Sequence, residues 1–210
     1  MIKKKKATEI FNRWAQNGKD EGMKKNHYKS YEHIKDIIKK EFHGASNISV
    51  ADVGCGNGWA TSDLLKESFI GRAHGYDGAA KMIEKAQLNI SAPSFFKTDL
   101  NSWNPGHKFD IIYSMEVIYY LKDPEKFVKE CYKKWLKPGG LFIAGIDHYK
   151  ENKESLSWPE DLNVLMQTKS INDWKKTLIY NNFSNCSVRQ VNQKDDWPGT
   201  LIFWGRKNAL

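Results

Sequence analysis

A glycine-rich run, VADVGCGNGWAT at residues 50–61, constrains the fold more than any other segment of the chain. An apolar stretch leads into it and a helix-forming stretch follows, which is the strand–loop–helix order of a nucleotide-binding turn. The glycines are spaced GxGxG, and Trp59 stands where the dinucleotide fingerprint GxGxxG needs a small residue. The loop therefore predicts close backbone approach to a ligand and disfavours a nicotinamide or flavin dinucleotide.

Short apolar runs alternate with longer helical patterns along the rest of the chain. Strands are predicted at residues 49–53, 73–76, 94–97, 109–114, 141–146, 187–191 and 201–204. Helices are predicted at residues 8–16, 27–41, 61–67, 79–89, 124–136 and 171–181. This order predicts an α/β fold with a mostly parallel sheet and helices on both faces. The last two strands are joined by a loop too short for a parallel crossover, so the sheet should end in an antiparallel hairpin.

Two segments lie outside the regular alternation of strands and helices. Residues 1–46 form a predicted basic helical extension or lid, with twelve lysines and arginines against six acidic residues. Residues 47–210 form the predicted α/β domain, and the polar, aromatic residues 147–169 within it form a predicted insertion on the substrate side. A basic arm can attract nucleic acid or an acidic partner, but a solvated terminus is the simpler interpretation.

The composition is typical of a soluble globular protein with one domain. Hydrophobic residues make up 40% of the 210 residues, and no apolar run approaches the ~18 residues that a membrane span needs. Cys55, Cys131 and Cys186 lie far apart, which argues against a disulfide framework or a zinc site. The basic N-terminus lacks the apolar segment of a secretory signal. We therefore expect a cytoplasmic protein.

Acidic residues follow each of the first three predicted strands. Asp52 precedes the first glycine of the loop, Asp77 ends the second strand, and Asp99 follows the third. The carboxyl ends of parallel strands meet at one edge of a sheet, where ligands bind. Asp77 is placed to accept hydrogen bonds from ribose hydroxyls, and Asp99 to accept one from an adenine amino group. Such an acidic edge favours a cationic adenosine ligand over phosphates.

With these features the chain resembles the class I S-adenosylmethionine-dependent methyltransferases, in the branch with small-molecule-type domains. The matching stretches are VADVGCGNG, HGYDGAAKMIEKA, FFKTDLNSW, FDIIYSMEVIYYLKDPEKFVKECYKKWLKPGGLFIAG and SINDWKKTLIYNNF, in the expected order over residues 48–206. The resemblance implies a Rossmann-like seven-stranded sheet whose last strand is inserted antiparallel. It also implies S-adenosylmethionine as the cofactor and methyl transfer by in-line displacement.

The resemblance also implies the residues that contact the cofactor. They are Asp52, Gly54, Cys55 and Gly56 at the methionine end, Asp77 at the ribose, Gly78 and Met82 beside the adenine, Asp99 and Leu100 at the adenine edge, and Ser114 and Met115 after the fourth strand. Family members often have a histidine where this chain has Tyr120, so the role of that position stays open.

Residues for the acceptor side come from the flanking segments. His27 and Tyr28 lie ahead of the first strand and His148 follows the fifth, and these are the candidate catalytic groups. No metal is expected, because catechol-type chemistry needs clustered carboxylates and Asp147 stands alone. The fourth strand lacks the Asn/Asp-Pro-Pro-Tyr/Phe run of methyltransferases that act on base amino groups, so nucleic acid is not the expected partner.

The expected acceptor is a small molecule methylated at nitrogen, oxygen, carbon or sulfur. Three alternatives stay open. The first alternative is an RNA or protein methyltransferase that uses its basic N-terminal arm. The second is a non-catalytic cofactor-binding subunit that pairs with another protein. The third alternative, a nicotinamide dehydrogenase, is disfavoured by Trp59.

Overall fold

The computed structural model describes residues 4–89 and 94–209. The helices are α1 (Ala7–Gln16), α2 (Glu21–Glu41), α3 (Trp59–Leu64), α4 (Ala80–Asn89), α5 (Pro124–Glu130), α6 (Trp158–Asp161) and α7 (Ile171–Ile179). The strands are β1 (Ile48–Val53), β2 (Ile70–Asp77), β3 (Phe95–Lys97), β4 (Phe109–Met115), β5 (Leu136–Ile146), β6 (Ser184–Val191) and β7 (Thr200–Arg206). None of the helices in these two ranges combines the length and the apolar character that crossing a bilayer requires.

The seven strands form one sheet in the order β3-β2-β1-β4-β5-β7-β6. The first five strands in this order pair in parallel. β7 lies between β5 and β6 and runs antiparallel to both. The predicted mostly parallel sheet with a C-terminal antiparallel hairpin is therefore confirmed. Because the strand order changes direction between β1 and β4, a crevice opens at the carboxyl ends of these two strands.

Two apolar layers cover the faces of the sheet, as the alternation of side chains along the strands requires. Val50 of β1 and Ile143 of β5 face a layer that contains α2 and α3. Their neighbours Ala51 and Phe142 face the opposite layer, which contains α5 and α7. Every residue of β1 is buried. This is why the central strands read as continuous apolar runs in the sequence.

Several boundaries differ from the sequence predictions because tertiary contacts decide them. α2 begins at Glu21, ahead of the predicted residue 27. The helix predicted for residues 124–136 is α-helical only to Glu130 and continues as a π-helical turn, Cys131–Trp135. β5 begins at Leu136 rather than at residue 141, since Leu136 already pairs with Phe109 of β4.

Candidate active site

A cavity of about 330 Å³ opens at the carboxyl ends of β1, β2 and β4. Its walls come from the glycine loop, the turn after β4, the helices α1 and α2, and the α6 region of the insertion. The location is the one at which open parallel sheets bind their ligands. The glycine loop, Glu116 and His27 all line this cavity.

The glycine loop lies directly against the turn that follows β4. Gly54 has φ +85°, and a Cβ at this position would lie 2.1 Å from Cγ2 of Val117. Gly56 has φ +54°. The backbone N–H of Gly54 donates to the carbonyl of Tyr76, at 2.7 Å, which ties the end of β1 to β2. Glycine is therefore required at position 54 both for its conformation and for the available space.

Asp77 lines the cavity and also holds the glycine loop in place. Its Oδ2 accepts a hydrogen bond from the N–H of Gly56 at 3.0 Å, and its Oδ1 accepts one from the N–H of Ala79 at 2.7 Å. Burial raises the pKa of this carboxyl, and the backbone hydrogen bonds act in the opposite direction. The side chain therefore links the loop, the end of β2 and the start of α4.

Asp52 lies beneath the glycine loop, is 2% exposed, and lines the same cavity. Its Oδ2 accepts a hydrogen bond from Oγ1 of Thr61 at 2.6 Å. Burial raises the pKa of Asp52 to about 7, opposed by the Thr61 hydrogen bond and reinforced by the charge of Asp77. A cation bound here would favour the ionised form of the carboxyl.

Three more of the expected cofactor residues lie in the cavity lining, namely Cys55, Met82 and Met115. Burial raises the pKa of the Cys55 thiol well above its ordinary value, so the group is uncharged at neutral pH. Met82 is fully buried beside Ala79. The lining here is therefore apolar apart from Asp52 and Asp77.

Ser114 and Leu100 do not line the cavity. The hydroxyl of Ser114 is buried and donates to the carbonyl of Val53 at 2.7 Å, which joins β4 to β1. Leu100 is buried in the apolar layer on the face that contains α5 and α7. Both residues support the fold, and the resemblance alone placed them at the cofactor.

Gly78 and Asp99 also lie outside the lining. A Cβ on Gly78 would lie 2.6 Å from Cγ2 of Thr8, so α1 packs directly on this glycine. Asp99 is exposed, and its Oδ1 accepts a hydrogen bond from the N–H of Asn101 at 3.0 Å. Its observed role is to cap the short helical turn after β3.

The segment between α1 and α2 is fastened to the glycine loop. Asp20 is 1% exposed, and its Oδ2 accepts a hydrogen bond from Nδ2 of Asn57 at 2.9 Å. Its Oδ1 lies 2.7 Å from Nζ of Lys85 on α4. These contacts hold Phe11 and Trp14 of α1 over the cavity, which both side chains line.

Glu116 follows β4, lines the same cavity and has the left-handed φ of +58°. Its Oε2 accepts a hydrogen bond from the hydroxyl of Tyr119 at 2.9 Å. Its Oε1 is buried and has no partner in the described part of the chain. Burial raises the pKa of Glu116 well above its ordinary value, and the charge of Asp147 adds to this. Left-handed backbone at a non-glycine residue is strained and often marks a functional position.

His27 of α2 lines the cavity close to Glu116 and Asp147. Its Nδ1 lies 3.6 Å from Oδ2 of Asp147. Burial lowers the pKa of His27 more than the Asp147 charge raises it, so the imidazole is neutral at pH 7. His27, Glu116 and Asp147 each offer one ligand atom, all within 4.8 Å of one another, and such a set is suited to a cation.

The other two candidate catalytic residues lie outside the cavity. His148 is buried with both ring nitrogens engaged: Nδ1 lies 2.9 Å from the carbonyl of Ser155 and Nε2 lies 2.8 Å from Oγ1 of Thr168. Its hydrogen-bond partners lie within the insertion, and the structure does not bring it to the cavity. Tyr28 is half-buried, with its ring 6.3 Å from that of Trp59, and does not line the cavity.

Glu116 and Tyr113 are among the polar residues of the cavity that were missed in the sequence. Glu116 satisfies the criterion that selected Asp77, since it is a carboxylate directly after a predicted strand. Tyr113 precedes it by three residues on the same strand, and its buried hydroxyl has no partner among residues 4–89 and 94–209. The burial of that hydroxyl carries no sequence signal.

Comparison with known proteins points to one family. A family model described as a methyltransferase domain matches residues 51–144. Malonyl-[acyl-carrier protein] O-methyltransferase of Halalkalibacterium halodurans is 27% identical over 146 residues, which cover 62% of this chain and 54% of that protein. Ubiquinone biosynthesis O-methyltransferase of Chelativorans sp. is 30% identical over 149 residues, 64% of this chain and 57% of that protein. The chain thus spans about half the length of these curated relatives.

Solved structures match over a larger share of the chain. One comes from the complex between the Haloferax volcanii Trm112 methyltransferase activator and a methyltransferase. It has a TM-score of 0.78 and 26% identity, and the match covers 94% of this chain and 97% of that chain. A Thermotoga maritima methyltransferase matches with a TM-score of 0.72 and 19% identity over 95% of this chain and 99% of that chain. The second match shows the fold alone.

Proposed function

We propose that this chain, which belongs to the class I S-adenosylmethionine-dependent methyltransferase superfamily, transfers a methyl group from S-adenosylmethionine to a small-molecule acceptor. The observation that carries the proposal is one cavity whose lining includes both the glycine loop with Asp77 and the polar groups Glu116 and His27. A donor against the loop and an acceptor beside the polar groups would share this space. Alignment of the two reactants is the main requirement of this reaction.

The residues at the glycine-loop end fit S-adenosylmethionine. Gly54 and Gly56 line the cavity and present backbone without side chains to the methionine part, and Asp77 offers carboxylate oxygens to the ribose hydroxyls. Asp52 supplies negative charge suited to a cationic ligand, and Met82 supplies an apolar surface suited to the adenine. When bound, the cofactor supplies a methyl group already activated on a sulfonium.

The cover over the cavity favours a small acceptor over a macromolecule. Trp14 of α1 and Trp158 of α6 both line the cavity, so two separate segments enclose it. These segments are joined by an ion pair, in which Nζ of Lys4 lies 2.7 Å from Oε1 of Glu160. An acceptor that reaches the methyl group has to fit beneath this cover.

The basic N-terminal arm offers limited support for the RNA or protein alternative. Lysines of α2 pair with acidic groups of the same chain: Lys35 with Asp63 at 2.8 Å, and Lys39 with Glu67 at 2.9 Å. Paired lysines are less available to phosphates. Binding of bulk tRNA that weakens steeply with salt would favour the alternative over a small acceptor.

His27 is the proposed proton acceptor for an acceptor group that loses a proton. Its imidazole is neutral, it lines the cavity, and its Nδ1 faces Asp147, which leaves Nε2 to take up the proton. Asp147 would stabilise the imidazolium as it forms, in the way that a carboxylate orients a histidine base in other enzymes.

The three free cysteines support a reducing compartment and hence the cytoplasm.

Calorimetric titration with S-adenosylmethionine, S-adenosylhomocysteine and NADH tests the cofactor assignment. We expect binding of the first two and none of NADH. A screen of small-molecule pools for S-adenosylhomocysteine formation then tests turnover. Cofactor binding without turnover of any pool would favour the non-catalytic subunit, and binding of NADH alone would favour the dehydrogenase.

Substitution of His27 by glutamine tests its role as the base. We expect kcat to fall by about 10²- to 10⁴-fold, the usual contribution of a general base, with unchanged cofactor affinity. The exposed His33 on the same helix provides the matched control, and His33→Gln should retain wild-type kcat. Equal rates for the two variants would contradict the role of His27.

A protein partner is a second proposal, motivated by the Haloferax volcanii match. That chain was solved in a complex with a methyltransferase activator, and the present chain covers 97% of it. An activator of the Trm112 type is therefore a candidate partner. Size-exclusion chromatography of the chain mixed with the Haloferax volcanii activator should show co-elution, and separate elution would count against this partner.

A further inference from the structure

The lining of the cavity carries buried oxygen atoms that have no hydrogen-bond partner in the described part of the chain. Oε1 of Glu116 and the hydroxyl of Tyr113 are buried and unpartnered within the described ranges, and both residues line the cavity. Oδ1 of Asp147, directly behind His27, is also buried and unpartnered there. Buried polar atoms in folded proteins are nearly always satisfied, so three together indicate a missing donor.

The same group of residues carries excess negative charge. Asp147 is buried and Glu116 is half-buried, and in the part of the chain that the structure describes neither pairs with a lysine or arginine. His27, which is neutral at pH 7, offers a ligand atom within 4.8 Å of both carboxylates, and the Tyr119 hydroxyl donates to Glu116. Two buried carboxyls side by side disfavour each other's ionisation, and a bound cation removes that penalty.

Aromatic rings form the remaining wall. Tyr119 and Tyr120 line the cavity with their ring centroids 4.4 Å apart, and Trp158 lines it from α6. The faces of tyrosine and tryptophan rings attract cations, organic ammonium groups in particular. Carboxylate and aromatic groups thus meet at Glu116, to which the Tyr119 hydroxyl donates.

We infer that the part of the cavity around Glu116 binds the acceptor as a primary ammonium. The protein would then be an N-methyltransferase. The Glu116 carboxylate and the Tyr113 hydroxyl accept N–H groups of the ammonium, and Asp147 adds a second negative charge behind them. This inference rests on the proposed function, because it names the acceptor class of that same site.

The spacing of the group suits an ammonium. Two N–H···O hydrogen bonds of about 2.9 Å at a tetrahedral nitrogen place their acceptors about 4.7 Å apart. The ligand atoms of His27, Glu116 and Asp147 all lie within 4.8 Å of one another. A divalent transition metal with bonds of about 2.1 Å would hold its ligands about 3.0–3.4 Å from one another. The distance from Nδ1 of His27 to Oδ2 of Asp147, 3.6 Å, is close to that spacing. The test below therefore includes a metal arm.

The transfer step balances with the groups present. The ammonium gives one proton to Nε2 of His27, which leaves a neutral amine nitrogen with its lone pair. That lone pair forms the new N–C bond to the methyl carbon, and the S–C bond breaks with its electrons left on sulfur. The product is a secondary ammonium, and His27 returns its proton to solvent.

Matched amines and alcohols test the acceptor class. Protein saturated with S-adenosylhomocysteine is titrated with 2-phenylethylamine, 2-phenylethanol, hexylamine and hexanol by calorimetry. The same compounds are then assayed for turnover with S-adenosylmethionine. At least one amine should bind about 10- to 100-fold more tightly than its alcohol, as expected for hydrogen bonds to a charged group, and should be methylated at nitrogen. Equal affinity for amine and alcohol, or binding of neither amine, would overturn the inference.

Glu116→Gln tests the residue assignment. The amine dissociation constant should rise about 10- to 100-fold, whereas the affinity for S-adenosylmethionine stays within about twofold. Glu130→Gln, an isosteric change on α5 away from the cavity, is the control and should match wild type. Tyr113→Phe is the second variant, in case Glu116→Gln fails to fold, and should weaken the amine about 5- to 10-fold. Wild-type amine affinity in either folded variant would refute the assignment.

A metal arm and a cofactor arm separate the remaining outcomes. Amine binding should be unchanged by EDTA and by added Mn²⁺ or Zn²⁺. A requirement for either ion would overturn direct ammonium binding in favour of a metal site. The protein could instead bind S-adenosylhomocysteine and methylate alcohols or carboxylates but not amines. That result would refute the inference and leave the proposed function standing. Protein that does not bind S-adenosylmethionine refutes the proposed function itself.

Discussion

Asp52→Asn should make the stability of the protein much less dependent on pH. The carboxyl of Asp52 is buried under the glycine loop, and its pKa in the folded protein is about 7. In the unfolded chain the same group has an ordinary pKa of about 3.9. Between these values the folded state holds a proton that the unfolded state has lost, so stability falls as pH rises through this range.

The magnitude follows from the two pKa values. A difference of about three pH units corresponds to about 4 kcal/mol, since each unit is worth about 1.4 kcal/mol. Stability contributed by the protonated carboxyl is fully present below about pH 4 and is lost by about pH 7 to 8. Asparagine keeps an oxygen that can accept the hydrogen bond from Thr61 but cannot ionise. Asp52→Asn should therefore not lose stability in this pH range, and at pH 8 it should be more stable than the wild type.

Urea unfolding at half-unit steps between pH 5 and pH 8.5 measures the effect. We expect the wild type without cofactor to lose stability across this range more steeply than Asp52→Asn, by up to about 1.4 kcal/mol per pH unit. Asp36→Asn, at an exposed position of α2, is the matched control and should follow the wild type. Parallel curves for wild type and Asp52→Asn would refute the assignment of a raised pKa to this group.

Three further predictions concern the same end of the cavity. Asp77→Asn should weaken S-adenosylmethionine by about 1–3 kcal/mol, because an amide cannot accept from both the ribose and the Gly56 N–H; unchanged affinity in calorimetry would contradict this. Gly54→Ala should abolish cofactor binding, since the alanine Cβ would overlap Val117. If circular dichroism shows that the variant is folded and it still binds the cofactor, the loop geometry is contradicted. Binding of S-adenosylmethionine at pH 7 should release about half a proton from Asp52, because the cofactor's positive charge favours the ionised carboxyl. The released proton makes the heat of binding differ between phosphate and Tris buffers. A heat of binding that is the same in both buffers would show that Asp52 does not respond to the cofactor charge.

The fold could be predicted from the sequence because its determinants are local. Central strands such as β1 are apolar at every position, which only a parallel sheet covered on both faces accommodates. The hairpin of β6 and β7 followed from the length of one loop. The start of β5 was mispredicted because a Lys-Pro-Gly-Gly segment reads as a turn, although the pairing of Leu136 with Phe109 already extends the strand there.

The site was only partly predictable because burial and convergence are not local properties. His27 and His148 look alike in the sequence, each a single histidine in a polar segment. The structure separates them: His27 faces the cavity, and His148 has both nitrogens engaged within the insertion. The resemblance placed Ser114 at the cofactor, but its hydroxyl on β4 donates to the carbonyl of Val53. Only the folded chain shows which side of the strand each residue occupies.

One electrostatic principle connects the two ends of the cavity. Asp52, Asp77, Glu116 and Asp147 lie at the carboxyl ends of four different strands, and burial raises the pKa of all four carboxyl groups. Each raised pKa means that the unliganded protein is less stable at neutral pH than it would be with neutral side chains. The four carboxyls lie at one edge of the sheet, where a bound cation would stabilise their ionised forms and so restore the lost stability. The sulfonium near Asp52 and the proposed ammonium near Glu116 and Asp147 are the two cations that this arrangement fits, and the negative charge of the carboxyls reduces their mutual repulsion.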